Sequence, residues 1–343
     1  MSAYLNTRIS VHTTHLWQAA DFQALLDADA TEMAEALAAR GLGALAVGYT
    51  GDDPRSLEAR IIAQLLDETL VLIRPLIGPE RVFLNYWTER FEVSNVKALL
   101  RGKLTGEGAT SLLTRLIPMG AFARLDLNAL SQAEDLAELL RELEAGPYAD
   151  IVRQARRAFE ESQDLFTLDA ALDRGWYEGF AHRARALESA AGAPFRRLMA
   201  SLIDRTNLVW LLRYRFNYGL QPAQVYYLLV DSHYSLSSAL LRQLTALDSL
   251  EAVIAALPAS LRTAVDGAND IHGVFARLEA EAIEIAGKVL HSGATAIARA
   301  FAYLILREHD LRSVRAALRG RHLGLARDDI RLAMQQWPAA GVV

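Results

Sequence analysis

Residues 92–103, EVSNVKALLRGK, are written three times in this chain. The second copy is 204–215, DRTNLVWLLRYR, and the third is 310–321, DLRSVRAALRGR. Aligned without gaps, the copies open on a carboxylate: Glu92, Asp204, Asp310. The fourth position is small and polar (Asn95, Asn207, Ser313). Positions five, eight and nine are apolar: Val96, Leu99, Leu100, then Leu208, Leu211, Leu212, then Val314, Ala317, Leu318. That spacing marks one stripe of an α-helix and predicts that Leu100, Leu212 and Leu318 are buried. The tenth and twelfth positions are basic in every copy: Arg101 and Lys103, Arg213 and Arg215, Arg319 and Arg321. Cations there suit the negative end of a helix dipole, and Gly102 and Gly320 suit a left-handed helix stop.

The repeat runs past the helix end. LTGEGATSLLTRL, FNYGLQPAQVYYLL and HLGLARDDIRLAM each read as a turn and a new helix, with Pro222 placed for a first turn. Gly106 and Gly324 lie equally far past their motifs. The copies begin 112 and 106 residues apart, so the 343 residues divide into three related units, 1–118, 119–228 and 229–343. Ala and Leu dominate, and no long β-branched alternating run occurs. The expected fold class is all-α.

Helices are expected at 4–26 and at 31–40, the latter ending at Gly41. The run 41–54 is expected as a loop with Asp53 capping the next helix, which carries Leu57, Ile61, Leu65 and Leu72 until Pro75 breaks it. Pro79 starts the helix that ends in the first motif, with Phe83, Trp87 and Phe91 as a packing ridge. Capping boxes are expected at Ser131 with Glu134 and at Asp248 with Glu251. Between them come helices at 148–162 and 168–191, the latter loosened by Gly175 and Gly179, and Pro194 starts the second motif helix. A helix at 271–290 precedes Gly293 and the third motif, and the tail 337–343 is expected to fray.

A net charge of −5 argues against a general nucleic-acid binder. With no cysteine, disulfides and thiolate metal sites are excluded. The amino-terminal residues lack the apolar run of a signal peptide, and no stretch approaches the ~20 apolar residues that span a bilayer. Gly41, Gly43 and Gly48 have the wrong spacing for a dinucleotide loop, and Gly102–Lys103 lacks the rest of a phosphate loop. His12 and His15 could share a helix face, but with no third ligand they read as polar surface. His309 and Asp310 read as a helix start, and Asp52 and Asp53 as a loop and cap. Arg153, Arg156, Arg157, Arg196 and Arg197 are interspersed with acids and read as solvated helix faces. No nucleophile, base and oxyanion site assembles, no cofactor or metal is implied, and the chain does not read as an enzyme.

The repeat resembles the C subunit of rotary V-type (archaeal and bacterial A/V-type) ATPases, the family that includes the d subunit of vacuolar pumps. The resemblance lies in EVSNVKALLRGK and, more closely, in 306–330, LREHDLRSVRAALRGRHLGLARDDI. The middle copy departs from it at Trp210 and at Tyr214, where glycine is usual, which bears on where that helix ends. The resemblance implies an all-helical funnel of three subdomains about a pseudo-threefold axis. It implies a central-stalk component on the cytoplasmic face of the membrane that receives the D and F subunits of the shaft and sits on the proteolipid ring. Such a component transmits torque for H⁺ or Na⁺ transport and has no active site. On this reading Arg101, Lys103, Arg213, Arg215, Arg319 and Arg321 are the candidate partner contacts, against the plainer role of complementing helix ends. A free-standing helical scaffold is the alternative.

Overall fold

The computed structural model describes residues 2–46, 54–162 and 164–336, and all regular structure among them is helical. Its backbone forms two compact units. One contains Met1–Arg81, Leu187–Leu202 and Ala264–Ala339; the other contains Val82–Ala186 and Ile203–Thr263.

The first unit is built on the helix Ala296–His322, which ends in the third motif. Its residues 297–305, IARAFAYLI, are apolar nearly all round, as a helix enclosed by others requires. Phe301, Tyr303 and Leu304 are fully buried. The helices Ser2–Thr13, Ala19–Asp27, Pro54–Ile73, Ile271–His291 and Arg327–Gln336 pack around it. The expected helix over 4–26 is therefore two helices, broken after Thr13 by turns whose Thr14, His15 and Leu16 amides donate to Val11, His12 and Thr13 carbonyls. Ala30–Ala39 ends as expected before Gly41, whose φ is +72°. The expected loop that follows holds one short helix, Gly43–Ala46. Asp52, Asp53 and the tail 337–343 lie outside the described residues.

In the second unit the first motif ends the helix Gly78–Leu104. The ridge Phe83, Trp87 and Phe91 is buried, and Phe83 and Trp87 each lie 5.1 Å from the Phe180 ring. Phe180 belongs to Leu165–Leu212, which Gly192 interrupts at φ +80°, so that Pro194 opens its second half. Gly175 and Gly179 do not loosen this helix. A Cβ on Gly179 would lie 2.1 Å from the Tyr86 hydroxyl, and one on Gly175 would lie 3.0 Å from Ile151, so both glycines serve close packing. The expected capping boxes are each displaced. Ser131 closes the helix Leu127–Ser131, and Asp135 caps the next through the Glu138 amide. Ser249, not Asp248, caps Leu250–Ala256 through the Ala252 amide.

Gly102 and Gly320 are not the left-handed stops; both sit inside their helices. The stops are Gly106 (φ +71°) and Gly324 (φ +66°), and the Glu107 and Leu325 amides fold back to the Gly102 and Gly320 carbonyls. The motif glycines instead seat the next helix. Their added Cβ atoms would lie 2.0 Å from Leu112 and 2.5 Å from Ile330. In the second copy Tyr214 fills that position and is buried against Phe166 and Trp210. There the chain opens into a π-helical turn, Arg213–Asn217, which adds one residue. The left-handed stop accordingly falls at Gly219, fifteen residues past Asp204, where Gly106 and Gly324 are fourteen past theirs.

Leu100, Leu212 and Leu318 are all buried, as the stripe predicts. Truncating any one to alanine should cost about 2–5 kcal/mol by chemical denaturation. A loss well under 1 kcal/mol at two of the three would mean that the stripe does not face the core.

Candidate functional site

The carboxylate that opens each motif lies within a helix and is buried: Glu92 is 0% exposed, Asp204 1% and Asp310 4%. The expectation that His309 and Asp310 start a helix fails, since that helix begins fourteen residues earlier, at Ala296. A polar group so placed needs hydrogen-bond partners. Glu92 Oε1 accepts the Arg124 and Leu125 amides at 2.8 and 2.9 Å, and Oε2 accepts the Tyr148 hydroxyl at 2.7 Å. Asp204 accepts the Ser235 and Leu236 amides, both at 3.0 Å. Asp310 accepts the Trp17 amide at 2.9 Å. The first two motifs thus hold the segment that follows them, whereas the third holds the amino-terminal one.

The fourth position acts beside the first. Asn95 exchanges two hydrogen bonds with the Ile117 backbone, and Asn207 exchanges two with Val230. Ser313 is buried at the same place but has no amide with which to bridge.

The twelfth position explains itself in the same terms. Lys103 donates to the Ser131 carbonyl at 2.8 Å, at the end of Leu127–Ser131. Arg215 donates to Thr245 at the end of Ser238–Thr245, and also to Leu220 and Leu247. Arg321 donates to Leu25 and Ala28 at the end of Ala19–Asp27. Each cation satisfies carbonyls at the C-terminus of a neighbouring helix, in addition to complementing its own. The tenth position diverges. Arg101 grips Asp169 Oδ2 through two nitrogens, Arg213 is half-buried, and Arg319 is exposed with no partner among the described residues.

Large apolar side chains stand exposed at all three turns: Leu104 at the first, Tyr218 at the second, Leu323 and Leu325 at the third. The helical stripe gave no sign of them, because they lie past its end.

Other candidates resolve as structure. His12 is half-buried, 5.6 Å from the Tyr303 ring, where burial lowers its pKa; it is not open polar surface. Among the described residues no group of His, Asp and Glu could hold a metal. Arg153 pairs with Asp150, and Arg156 pairs with Glu144 and Glu160, as a solvated face should. Near Asp310, Arg307 is wholly buried and grips Glu68 while also donating to the His15 and Arg40 carbonyls. Burial opposes ionisation of Glu68, but Arg307 outweighs it and holds the carboxyl below its ordinary pKa.

The family described as ATP synthase (C/AC39) subunit matches residues 5–332. The chain belongs to that family. It is 21% identical to the C subunit of an A-type ATP synthase from Methanocaldococcus jannaschii over 340 residues, 96% of this chain and 85% of that protein. Shorter alignments relate it to the C subunits of V-type ATP synthases. The Thermus thermophilus protein is 29% identical over 206 residues, covering 60% of this chain and 61% of its own length. The Deinococcus radiodurans protein is 32% identical over 120 residues, covering 34% and 32%. The C subunit of these synthases is structural and not catalytic, and the chain is a non-catalytic member of that rotary ATPase family. Among the described residues no helix is long and apolar enough to cross a membrane.

Burial pushes the Asp310 carboxyl up from 3.8 to about 7, only partly countered by the Trp17 amide and Arg307. The folded chain holds that proton more tightly than the unfolded chain. The stability this group contributes is complete below pH about 4, falls as pH rises, and is gone above about 7. Asp310→Asn keeps the acceptor for Trp17 and removes the titration. Its unfolding free energy should vary less than the parent's between those limits, by about 1 kcal/mol or more. Equal pH slopes in denaturant titrations would contradict the assignment.

Proposed function

We propose that this chain is the central-stalk component that joins the rotating shaft, made of the D and F subunits, to the membrane proteolipid ring. It passes torque between them during H⁺ or Na⁺ transport. One copy serves each complex, on the cytoplasmic face, and it meets the membrane only through the ring. The observation that carries this reading is family membership across residues 5–332.

Each copy of the repeat offers a contact surface of its own. Units 1–118, 119–228 and 229–343 each contribute one motif-helix end, where cations lie beside exposed apolar side chains. Arg101, Lys103, Arg213, Arg215, Arg319 and Arg321 are the basic complement of these separate ends. Arg101, Lys103, Arg215 and Arg321 have hydrogen bonds within the chain, and half-buried Arg213 also has an interaction within it, so exposed Arg319 is the one most open to a partner carboxylate. Leu323 and Leu325 beside it supply apolar area that a partner would cover. Ends of this kind suit short loops that present carboxylates or carbonyls with apolar flanks.

Two measurements test the reading. Complex assembled without the chain should keep ATP hydrolysis in its soluble sector and lose coupled ion transport, and restoring the chain should recover coupling. Arg319→Glu combined with Leu325→Asp should weaken retention on the ring or the shaft pair, by about 2–5 kcal/mol if the contact is partly buried, with an unchanged melting curve. Full coupling without the chain, or ATP hydrolysis by the chain alone, would refute the proposal.

A further inference from the structure

The helix Ser2–Thr13 buries Leu5 and Ile9 and packs on Ala296–His322 and Pro54–Ile73. Its opposite side faces solvent. Tyr4, Arg8 and Val11 stand there at i, i+4 and i+7, which places them on a single stripe. All three are exposed, Tyr4 by 52% and Val11 by 53%. A lone apolar side chain in water is ordinary. An aromatic and an aliphatic one flanking an arginine have the make-up of an interaction hot spot.

Arg8 is held in a set geometry. Its Nε donates to the Tyr4 hydroxyl at 2.9 Å, and its Cζ lies 5.2 Å from the centroid of the Tyr4 ring. That hydrogen bond uses one edge of the guanidinium. The two terminal nitrogens have no partner among the described residues. Four arginines of the same unit each take a carboxylate: Arg40 takes Asp21, Arg307 Glu68, Arg312 Glu279 and Arg315 Glu58. Arg8 takes none among the described residues, and residues 1–20 hold no Asp or Glu at all.

Two terminal nitrogens of a fixed guanidinium present parallel donors, the geometry that receives a carboxylate through both oxygens. An anionic membrane surface is a poorer match, because such surfaces are held by clusters of cations and this stripe carries one. A nucleic-acid backbone fails for the same reason. We propose that the outer face of Ser2–Thr13 docks a segment of a neighbouring subunit, with an Asp or Glu carboxylate on the Arg8 terminal nitrogens and apolar side chains covering Tyr4 and Val11. This surface is distinct from the motif-helix ends; it rests on the stalk reading for the partner's being a subunit of the same complex.

Photo-cross-linking in the assembled complex tests it, with p-benzoylphenylalanine in place of Val11 in one preparation and of Leu325 in another. Position 11 should cross-link to another subunit within a few residues of an Asp or Glu. Adding Arg8→Glu should lower that yield about tenfold or more with an unchanged melting curve, and reversing the captured carboxylate to lysine should restore it. Arg8→Lys, which keeps the charge but not the fork, should keep only part of the yield. Cross-linking from position 325 but not from 11 overturns this inference and leaves the stalk reading standing, whereas silence from both overturns both. Capture of lipid or of a second copy of this chain at position 11, or a yield indifferent to Arg8→Glu, also overturns it.

Discussion

A carboxylate buried within a helix, with backbone amides of another segment as its donors, is the constraint from which this fold follows. Carboxyl groups are costly to bury without partners, and a hydrogen bond within a protein contributes about 0.5–1.5 kcal/mol net. The bonds Glu92, Asp204 and Asp310 make therefore fix a helix and a distant stretch of backbone together. The asparagines at the fourth position and the cations at the twelfth repeat that logic. Each satisfies backbone groups that no regular helix could pair. The motif is polar where helices are usually apolar because its polar atoms bond main chain, and the leucines between them fill the core.

The copies show how far the device can vary. Tyr214 replaces a packing glycine, and one extra residue in a π-turn restores the stop at Gly219. For the third motif, residues 17–28 take the place that 124–131 and 235–245 take for the other two. Trp17, Leu25 and Ala28 meet Asp310 and Arg321 as Leu125 and Ser131 meet Glu92 and Lys103. The two compact units therefore do not coincide with the three stretches read from the repeat: one holds the first two motifs, and the other holds the third with the amino terminus.

The helical class, the buried stripe and the equivalence of the three motifs were legible in the sequence, because they depend on local period and on a pattern written three times. The breaks at Gly41, Pro75 and Gly192–Pro194 were legible for the same reason. What was not legible depends on partners remote in sequence. Nothing around Asp310 points to Trp17, 293 residues away. The capping boxes at Ser131 and Asp248 were misplaced by a few residues because acidic and hydroxyl residues crowd both turns, and tertiary contacts chose among them: Lys103 takes the Ser131 carbonyl and Arg215 takes Asp248. Gly102 and Gly320 have the composition of a helix stop, yet the helices run on because Leu112 and Ile330 need the space. Nothing in the sequence divides the candidate cations that bind main chain, Lys103, Arg215 and Arg321, from exposed Arg319.

The claim that the first motif position holds a remote backbone segment is tested most directly by amide hydrogen exchange at Trp17. In the native chain that amide should exchange slowly, and Asp310→Ala should speed its exchange while leaving the Arg124 and Ser235 amides protected. Fast exchange at Trp17 in the native chain, or protection indifferent to Asp310, would contradict the account.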